Sequence, residues 1–429
     1  MSSDWSPGEV HETFSEWALA QGVIANKVRP ARFPGRGLGM IATDTIKSGD
    51  FVVKVPTTTI LTADKIPSEF RSQFPEDTRI QAIIAAYLTC SSEEDLAPYS
   101  LWFKTWPTRQ DFEDSMPMLW PRSLGGLTWP DSDDAADPAV AASQSNFLPP
   151  CISGLWNSIQ KGGVTRQYET EHQDLVQQQG LRLGKAWNDV VSVIPDIDWK
   201  SFSYHWLILN TRSFYWVAPD QEAPEDRNDA MALLPFADYF NHSDVECDVK
   251  FDGDGYTLSA TEDYEAGDEV YMSYGSHPND FLLAEYGFFM DKNDSDCIYL
   301  DDIILCDFPS AEKQEELWLN QYYGNYSVNS EGVCYRTEIA ACLMYMEEED
   351  WRNHLEGSTE GVDEKKSEDI IKGWLRTYAA EADATMSALR KAMESGGVPE
   401  THHGKAEYLL RRWKQIKSIC ESASSALSL

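Results

Sequence analysis

The sequence has few basic residues for its size. Lysine and arginine number 35 against 71 aspartates and glutamates, which gives a formal net charge of −36 and a pI near 4.4. Binding to the phosphate backbone of nucleic acids needs clustered positive charge, so this balance argues against a nucleic-acid-binding protein. The balance fits a basic protein partner, and it fits equally an acidic surface that only keeps the protein in solution.

The sequence also lacks paired cysteines. Its 8 cysteines are scattered over positions 90, 151, 247, 297, 306, 334, 342 and 420, without a Cys-x-x-Cys pair or a close cluster with histidine. Structural zinc sites need such spacing, so we expect none. Free thiols in a reducing compartment are the simplest interpretation.

Long apolar runs are absent as well. No stretch approaches the roughly 20 residues that span a bilayer, and the first residues lack the basic and apolar regions of a secretory signal. These absences predict a protein of the cytosol or nucleus without a membrane partner.

Apolar material for packed cores is abundant. Hydrophobic residues make up 42% of the 429 residues and aromatic residues 12%, with 15 tryptophans, so the chain is predicted to be globular. A chain of this length is typical of two or three units. Several domains and one domain with a large insert both remain open.

Local patterns change along the chain. Residues 8–21 predict an amphipathic helix that ends at Gly22, and residues 23–62 predict short strands with glycine turns. Residues 66–217 are predicted to be mostly helical. Within them, the aspartates of 130–138 predict an exposed loop, and a metal site there is disfavoured because the glycine and terminal glutamate of a calcium loop are missing.

One helix of this region is predicted to begin near Asp198 and to lead to Arg212. An arginine that arrives beside an apolar stripe can be anchored to a carboxylate. A solvated surface arginine is the alternative.

Strands are predicted again after the helical region 66–217. Residues 249–251 and 256–258 flank a Gly-Asp-Gly turn, which predicts a hairpin. Beyond about residue 296 the pattern predicts helices again, with a flexible connection over 347–369.

One stretch concentrates polar residues inside an apolar frame. It runs from Ala237 to Tyr274, with Asn241 and His242 before the hairpin and Tyr274 at the end of an aromatic strand. Taken singly, a turn asparagine, a buried imidazole and a cross-strand tyrosine are the favoured roles. Only the joint order of these residues indicates a site.

Four motifs in a fixed order resemble those of the SET-domain methyltransferases, in particular the branch typified by the Rubisco large-subunit lysine methyltransferase. The resemblance is at residue level over about 23–62 and 205–290 and architectural elsewhere. In chain order the motifs are the cofactor loop Gly35-Arg36-Gly37-Leu38, the Asn-His motif at Asp238 and Asn241-His242-Ser243, the tyrosine strand Tyr271-Met272-Ser273-Tyr274-Gly275, and the closing motif Glu285-Tyr286-Gly287-Phe288.

The resemblance implies an α+β fold in which a β-rich SET domain with a pseudoknot is interrupted by a helical insert and followed by an all-α domain. The pseudoknot would bring Asn241 and His242 next to residues 271–286. The implied domains are an N-terminal helix (1–22), the first part of the SET domain (23–66), the helical insert (67–217), the second part of the SET domain (218–295) and a helical substrate-binding domain (296–429).

S-adenosylmethionine is the implied cofactor, bound against the backbone from Arg36 to Leu38. Arg212 would hold its amino-acid end, and Asn241 and His242 its adenosine. The family often has an acidic residue where Arg36 stands, so backbone contacts are the expected role there. The implied cofactor-binding residues are Arg36, Gly37, Leu38, Arg212, Asp238, Asn241, His242, Tyr274, Tyr286 and Phe288, and the implied substrate channel contains Ser213, Tyr239, Tyr271 and Tyr286.

Tyr274 is the implied catalytic residue, in a narrow channel where the substrate lysine meets the sulfonium methyl group. In-line methyl transfer needs a neutral amine, alignment and exclusion of water. A free lysine with a pKa near ~10.4 is almost fully protonated at neutral pH, so an apolar channel raises the reactive fraction. A tyrosine hydroxyl can orient the amine or help remove its proton, and aromatic walls attract the methylated cation.

The implied activity is that of a protein-lysine N-methyltransferase without a metal, acting on a non-histone protein such as a ribosomal protein or an elongation factor. Its negative surface would receive a basic segment of that protein, and a monomer is favoured. Two alternatives stay open: some relatives methylate histidine in actin, and an inactive SET-fold protein can serve as a binding module.

Overall fold

The computed structural model describes residues 5–34, 36–130, 146–159, 172–217, 222–225, 229–246 and 248–427. Gly35 of the first glycine motif and the aspartates of the 130–138 segment lie outside the described residues.

Helices and short strands alternate over the described chain. The strands are β1 (Ile24–Ala25), β2 (Val28–Phe33), β3 (Gly37–Ala42), β4 (Phe51–Pro56), β5 (Leu61–Thr62), β6 (Ser213–Tyr215), β7 (Met231–Leu233), β8 (Asp248–Phe251), β9 (Gly255–Ser259), β10 (Glu269–Val270), β11 (Ile298–Tyr299), β12 (Ser327–Asn329) and β13 (Gly332–Val333). The helices are Glu9–Ala20, Ser68–Arg71, Ile80–Cys90, Glu93–Leu96, Ser100–Phe103, Arg109–Ser115, Pro150–Ser153, Leu175–Val193, Trp199–Arg212, Asn279–Tyr286, Asp301–Asp307, Ala311–Leu319, Tyr335–Tyr345, Glu348–Leu355, Glu364–Glu394 and His403–Ala426.

The mixture of helix and sheet confirms the predicted α+β class. The predicted helical character of the insert is confirmed where the structure describes it. Among the described helices, none combines the length and the apolar composition that a membrane crossing requires.

The N-terminal helix Glu9–Ala20 confirms the first sequence prediction. It ends because Gly22 adopts a positive φ of 98°, a left-handed conformation that glycine enters without steric cost. Phe14 and Ala18 form its buried face, whereas Val10, an apolar residue one turn before Phe14, is 47% exposed. The apolar face is therefore narrower than the sequence pattern indicated.

Antiparallel sheets organise the first of two compact units, which consists of Met1–Phe112 and Leu181–His277. The strand orders are β10-β3-β2, β1-β4-β9-β8 and β5-β7-β6. β4 pairs with β9 and β5 pairs with β7, so strands that precede the insert in sequence pair with strands that follow it. The two predicted parts of the SET domain therefore share their sheets.

The predicted hairpin is confirmed. β8 and β9 pair antiparallel, with Phe251 opposite Tyr256. Gly253 in the turn has a φ of 94°, a conformation that favours glycine. The hairpin adds its strands at the edge of the sheet that contains β4.

The second compact unit consists of Glu113–Gly180 and Pro278–Leu429. Its two long helices, Glu364–Glu394 and His403–Ala426, pack on each other. Each of these helices carries an apolar stripe that is buried, and burying each large apolar side chain stabilises the fold by about 1.5–3 kcal/mol. The stripe residues are Ile371, Leu375, Tyr378, Leu409, Trp413, Ile416 and Cys420.

Two features of the second unit differ from the sequence prediction. A small sheet of β11, β12 and β13 accompanies the helices; its strands are too short for periodicity to reveal them. The connection expected over 347–369 is also shorter, because Glu348–Leu355 is helical and Asp363 caps the next helix by accepting from the N–H of Lys366.

The compact units divide the predicted helical insert (67–217) between them. This division reflects which residues pack together in space. It does not test the domain boundaries proposed from the sequence, which stay a prediction.

A buried carboxylate gives the second unit a pH-dependent contribution to stability. Asp301 is 0% exposed and accepts hydrogen bonds from the backbone N–H groups of Asn325 and Tyr326. Burial nevertheless raises the pKa of Asp301 to about 6 from its ordinary 3.8. Since the folded chain then holds this proton more tightly than the unfolded chain, the contribution is present at low pH and is lost as pH rises through about 6.

We expect the melting temperature of the wild type, measured relative to Asp301→Asn, to fall between about pH 4 and pH 6 and to be constant above. The asparagine does not titrate, so the difference isolates this carboxyl from the other acidic residues. A difference that is flat over this range, or that rises with pH, would contradict the assignment.

Candidate functional site

An asparagine joins distant parts of the first unit. The Asn241 side chain donates through Nδ2 to the backbone oxygen of Leu38 at 2.9 Å and to Oε1 of Glu269 at 2.7 Å. Glu269 lies in β10, which pairs antiparallel with β3, the strand that contains Leu38. The structure therefore brings the Asn241 side chain to the backbone of the first glycine motif.

Asn241 and His242 lie directly beside the tyrosine segment. The N–H of Met272 donates to the backbone oxygen of Asn241 at 3.0 Å, and the N–H of Ser243 donates to that of Met272 at 3.3 Å. His242 and Met272 form an isolated parallel bridge. The predicted proximity to residues 271–274 is confirmed.

The aromatic strand is shorter than predicted. β10 ends at Val270, and Tyr274 lies in an irregular segment beyond it. The segment leaves the ladder because its hydrogen-bonding groups are used by 241–243 instead of by a neighbouring strand. Sequence alternation alone could not show this change of partner.

His242 holds Tyr274 through both its ring face and a ring nitrogen. Nδ1 of His242 accepts the backbone N–H of Tyr274 at 3.0 Å, and the two rings stack with centroids 5.2 Å apart. Burial lowers the pKa of His242. The imidazole is therefore neutral at physiological pH, with Nδ1 as the acceptor nitrogen.

The Tyr274 hydroxyl donates to the backbone oxygen of Phe240 at 2.6 Å. This bond uses the only O–H of the phenol. While it persists, the oxygen can accept a hydrogen bond from another group but is not free to donate one. Of the two roles considered for Tyr274, orienting an amine fits this arrangement better than taking its proton.

Arg212 is anchored to a buried carboxylate, which excludes the solvated alternative. Its Nη1 donates to the backbone oxygen of Asp238 at 2.9 Å and to Oδ2 at 3.2 Å. Trp102 donates its indole N–H to the same Oδ2 at 3.2 Å. The helix that ends at Arg212 begins, as predicted, with Asp198 as its N-cap.

Asp238 itself is almost completely enclosed, with a side chain that is 3% exposed. Burial raises its pKa, and Arg212 and Trp102 act in the opposite direction by stabilising the carboxylate. The structure therefore assigns the Asp238 carboxylate to holding Arg212. Direct cofactor binding by Asp238 stays a prediction.

Tyr239 binds a residue that the sequence did not single out. Its hydroxyl lies 2.7 Å from Nδ1 of His11, on the N-terminal helix. The pKa of His11 is lowered by burial and by Arg32 and Arg212, so the imidazole is neutral and accepts from the tyrosine. Burial raises the pKa of Tyr239. No local signal marks this pair, because its members are 228 positions apart.

Ser213, proposed for the substrate channel, opens β6 directly after Arg212. Its hydroxyl is buried and has no hydrogen-bond partner among the described residues. Buried hydroxyls are rarely left unpaired, so this position is consistent with a group that the protein alone does not supply.

Arg36 and Tyr271 meet at Glu269. Nη1 of Arg36 donates to Oε2 of Glu269 at 2.8 Å, and the Tyr271 hydroxyl donates to the same oxygen at 2.9 Å. Arg36 also contacts the Tyr271 hydroxyl, and its guanidinium lies 5.7 Å from that ring centroid. The bond with Glu269 raises the pKa of Arg36, and burial raises that of Tyr271.

Glu269 was missed by the sequence reasoning. A signal existed, because Glu269 and Tyr271 are two positions apart and an extended segment directs such residues to one face. An acidic residue on the same face as a proposed channel tyrosine is itself a candidate site residue.

Tyr286 and Phe288 belong to the second unit, where their ring centroids are 6.3 Å apart. Tyr286 ends the helix Asn279–Tyr286, and Gly287 follows with a φ of 81°. Burial raises the pKa of Tyr286 to about 12. Cofactor binding by Tyr286 and Phe288, and the place of Tyr286 in the substrate channel, stay predictions.

Metal ligands are not clustered in the part of the chain that the structure describes. Within it, no group of three or more histidine, cysteine, aspartate or glutamate side chains is arranged to hold an ion.

Two protein-family models match the chain. The SET domain model matches residues 37–275, and the model for the C-terminal domain of ribosomal lysine N-methyltransferase 2 matches residues 296–424. The first match alone covers more than half of the chain and contains Arg212, Asn241, His242 and Tyr274.

Similar proteins are found among curated sequences and solved structures. The human SET domain-containing protein 4 is 23% identical over 389 residues, covering 86% of this chain and 81% of that protein. Ribosomal lysine N-methyltransferase 2 of Saccharomyces cerevisiae is 27% identical over 215 residues, covering 45% of this chain and 44% of that protein. The structure of Rubisco LSMT bound to AdoMet superimposes with a TM-score of 0.57 at 14% identity, covering 98% of this chain and 92% of that chain, which supports the fold.

Proposed function

This chain belongs to the SET-domain family, and we propose that it is a protein-lysine N-methyltransferase that uses S-adenosylmethionine. The observation that carries the proposal is a pair of hydrogen bonds made by Asn241. This residue bonds the Leu38 backbone through its side chain and Met272 through its own backbone oxygen. Relatives named as ribosomal lysine N-methyltransferases support lysine as the target.

Asn241 and its surroundings fit a cofactor with N–H groups. Both hydrogens of the Asn241 amide are used, on Leu38 and Glu269, so Oδ1 is left as an acceptor without a partner among the described residues. A Cβ atom built on Gly39 would lie 2.6 Å from Oε1 of Glu269 and 2.8 Å from Nδ2 of Asn241. Only glycine leaves this approach open.

Arg212 fits the other end of the cofactor. Its side chain is 24% exposed, and Asp238 fixes the position of its guanidinium. A guanidinium held in this way can pair with the carboxylate of an amino acid. Arg212, Asn241, His242 and the backbone from Arg36 to Leu38 would therefore hold S-adenosylmethionine.

The chain's own residues would align and desolvate the substrate amine. When bound, S-adenosylmethionine supplies an electrophilic methyl group on a sulfonium. Tyr274, with its proton on the Phe240 backbone oxygen and its ring against His242, presents a fixed acceptor for an amine N–H. Desolvation in an apolar channel disfavours the ammonium form and excludes water, so the neutral amine is the form that reacts.

The substrate proposed is a non-histone protein, such as a ribosomal protein or an elongation factor, presented through a basic segment. Charge supports this choice, because acidic residues outnumber basic ones by 71 to 35 over the chain. The matched C-terminal model carries the name of a ribosomal lysine methyltransferase domain, which supports the ribosomal class. We also propose that the protein acts as a monomer in the cytosol or nucleus.

The test is a methyl-transfer experiment. The full chain is incubated with labelled S-adenosylmethionine and an extract of cells that lack the protein, and mass spectrometry identifies the labelled residue. Methyl-lysine in a basic segment is the expected result. Methylhistidine would replace lysine as the target, and absence of both transfer and cofactor binding would favour a binding module.

A further inference from the structure

Glu269 is a buried carboxylate that no motif of the family resemblance includes. Its side chain is 5% exposed. Oε1 accepts from Asn241 at 2.7 Å, and Oε2 accepts from Arg36 at 2.8 Å and from the Tyr271 hydroxyl at 2.9 Å. Both oxygens therefore face donors, and the residue lies where the Asn-His motif meets the first glycine motif.

The Asn241 amide depends on this carboxylate for its orientation. Leu38 takes one hydrogen of Nδ2, and Glu269 takes the other. Because both neighbours are acceptors, the amide cannot exchange its oxygen and nitrogen without placing Oδ1 against acceptor atoms. The result is a fixed Oδ1, available for an N–H group.

Only an acidic side chain satisfies this position. A glutamine in place of Glu269 would carry one acceptor oxygen and one NH2 group. In one orientation the NH2 group would face the Arg36 guanidinium, and in the other it would face Nδ2 of Asn241. Either orientation sets donor against donor, which loses a hydrogen bond to a charged group.

Close packing against β3 fixes Glu269 in place. The Cβ position of Gly39 is 2.6 Å from Oε1 of Glu269, so the carboxylate fills the space that a side chain on β3 would occupy. β10 and β3 are paired through Val270 opposite Met40, which sets the height of Glu269 along the sheet. The carboxylate therefore has little freedom to move away from Asn241.

We propose that Glu269 is a positioning residue of the cofactor site. By accepting from Asn241 on one side and from Arg36 on the other, it holds Asn241 Oδ1 ready to accept from an N–H group of S-adenosylmethionine. Arg36, whose side chain is 60% exposed, donates to the carboxylate from its solvent side. The inference rests on the proposed function, since it assumes that this site binds that cofactor.

The experiment is a double-mutant cycle read by calorimetric titration with S-adenosylmethionine. Glu269→Gln is expected to weaken binding about tenfold or more, the range of a hydrogen bond to a charged group. Asn241→Ala is expected to weaken it as well. Because Glu269 acts through Asn241, the double variant should bind no more weakly than Asn241→Ala alone by more than about threefold. A purely structural role of Glu269 predicts additive losses instead.

Glu381 provides a matched control. Its carboxylate is 1% exposed and accepts from Asn157 and Ser158 within the second unit. Glu381→Gln is expected to lower the melting temperature and to leave cofactor affinity unchanged. An equal loss of affinity in both glutamine variants would attribute the effect to general destabilisation and overturn the inference.

The outcomes separate the inference from the proposed function. If the wild type does not bind S-adenosylmethionine, the proposed function fails. If the wild type binds and Glu269→Gln binds equally well, or if the losses add, only the role of Glu269 fails. Should Glu269→Gln not fold, Arg36→Gln at the exposed side is expected to weaken binding about threefold by removing one donor to the carboxylate; unchanged affinity there would overturn the inference.

Discussion

Replacing Tyr274 with phenylalanine is expected to reduce turnover about a hundredfold or more, because a poorly oriented amine reacts far more slowly. The phenylalanine ring can keep the stack with His242, whose centroid lies 5.2 Å away, and the backbone N–H still donates to Nδ1. The hydroxyl is removed, and with it the hydrogen bond to the Phe240 backbone oxygen. Affinity for S-adenosylmethionine should therefore change little, so kcat falls while the cofactor dissociation constant stays close to that of the wild type.

The paired variant for this measurement is Tyr286→Phe, which removes the hydroxyl of another tyrosine predicted to line the channel. Single-turnover rates and cofactor titrations are compared for both variants and for the wild type. Unchanged turnover in Tyr274→Phe would remove the catalytic assignment. Loss of turnover in Tyr286→Phe alone would transfer that role to Tyr286.

Replacing Arg412 with leucine is expected to destabilise the second unit by about 3–5 kcal/mol, the cost of leaving a buried charge without its partner. Arg412 is 0% exposed. Nε donates to Asp280 at 2.7 Å, and Nη1 and Nη2 donate to the two carboxylate oxygens of Asp296 at 2.6 and 3.1 Å. Burial already raises the pKa of Asp280, and loss of the guanidinium would remove the charge that opposes this rise.

Denaturant unfolding of Arg412→Leu measures this effect, with Lys417→Ala as the control. Lys417 pairs with Asp383 at the surface, where ion pairs contribute little, so the control should unfold close to the wild type. Adding Asp280→Asn and Asp296→Asn to Arg412→Leu should recover part of the lost stability, because no buried charge then remains unpaired. Equal free energies of unfolding for Arg412→Leu and Lys417→Ala would show that the buried ion-pair network stabilises the fold no more than a surface ion pair does.

Much of the fold follows from local sequence signals. Gly22 ends the first helix and Asp198 begins the helix that leads to Arg212, because a glycine at positive φ and an N-cap carboxylate act on the backbone within a few residues. The hairpin of β8 and β9 follows for the same reason. The small sheet of the second unit does not, since strands of two or three residues carry no usable periodicity.

The sequence by itself determined the family. The glycine motif, the Asn-His motif and the tyrosine segment follow one another in a fixed order, and that order can be read along the chain without a structure. Only the tertiary structure decided which side chains meet. Arg36 and Glu269 are 233 positions apart, and the Tyr274 hydroxyl reaches the backbone of Phe240 across 34 positions. Such contacts depend on strand register and on the packing of distant elements, whereas local propensity acts only over neighbouring residues. For that reason the sequence motif could name Asn241, whereas its contact with Glu269 was seen only in the fold.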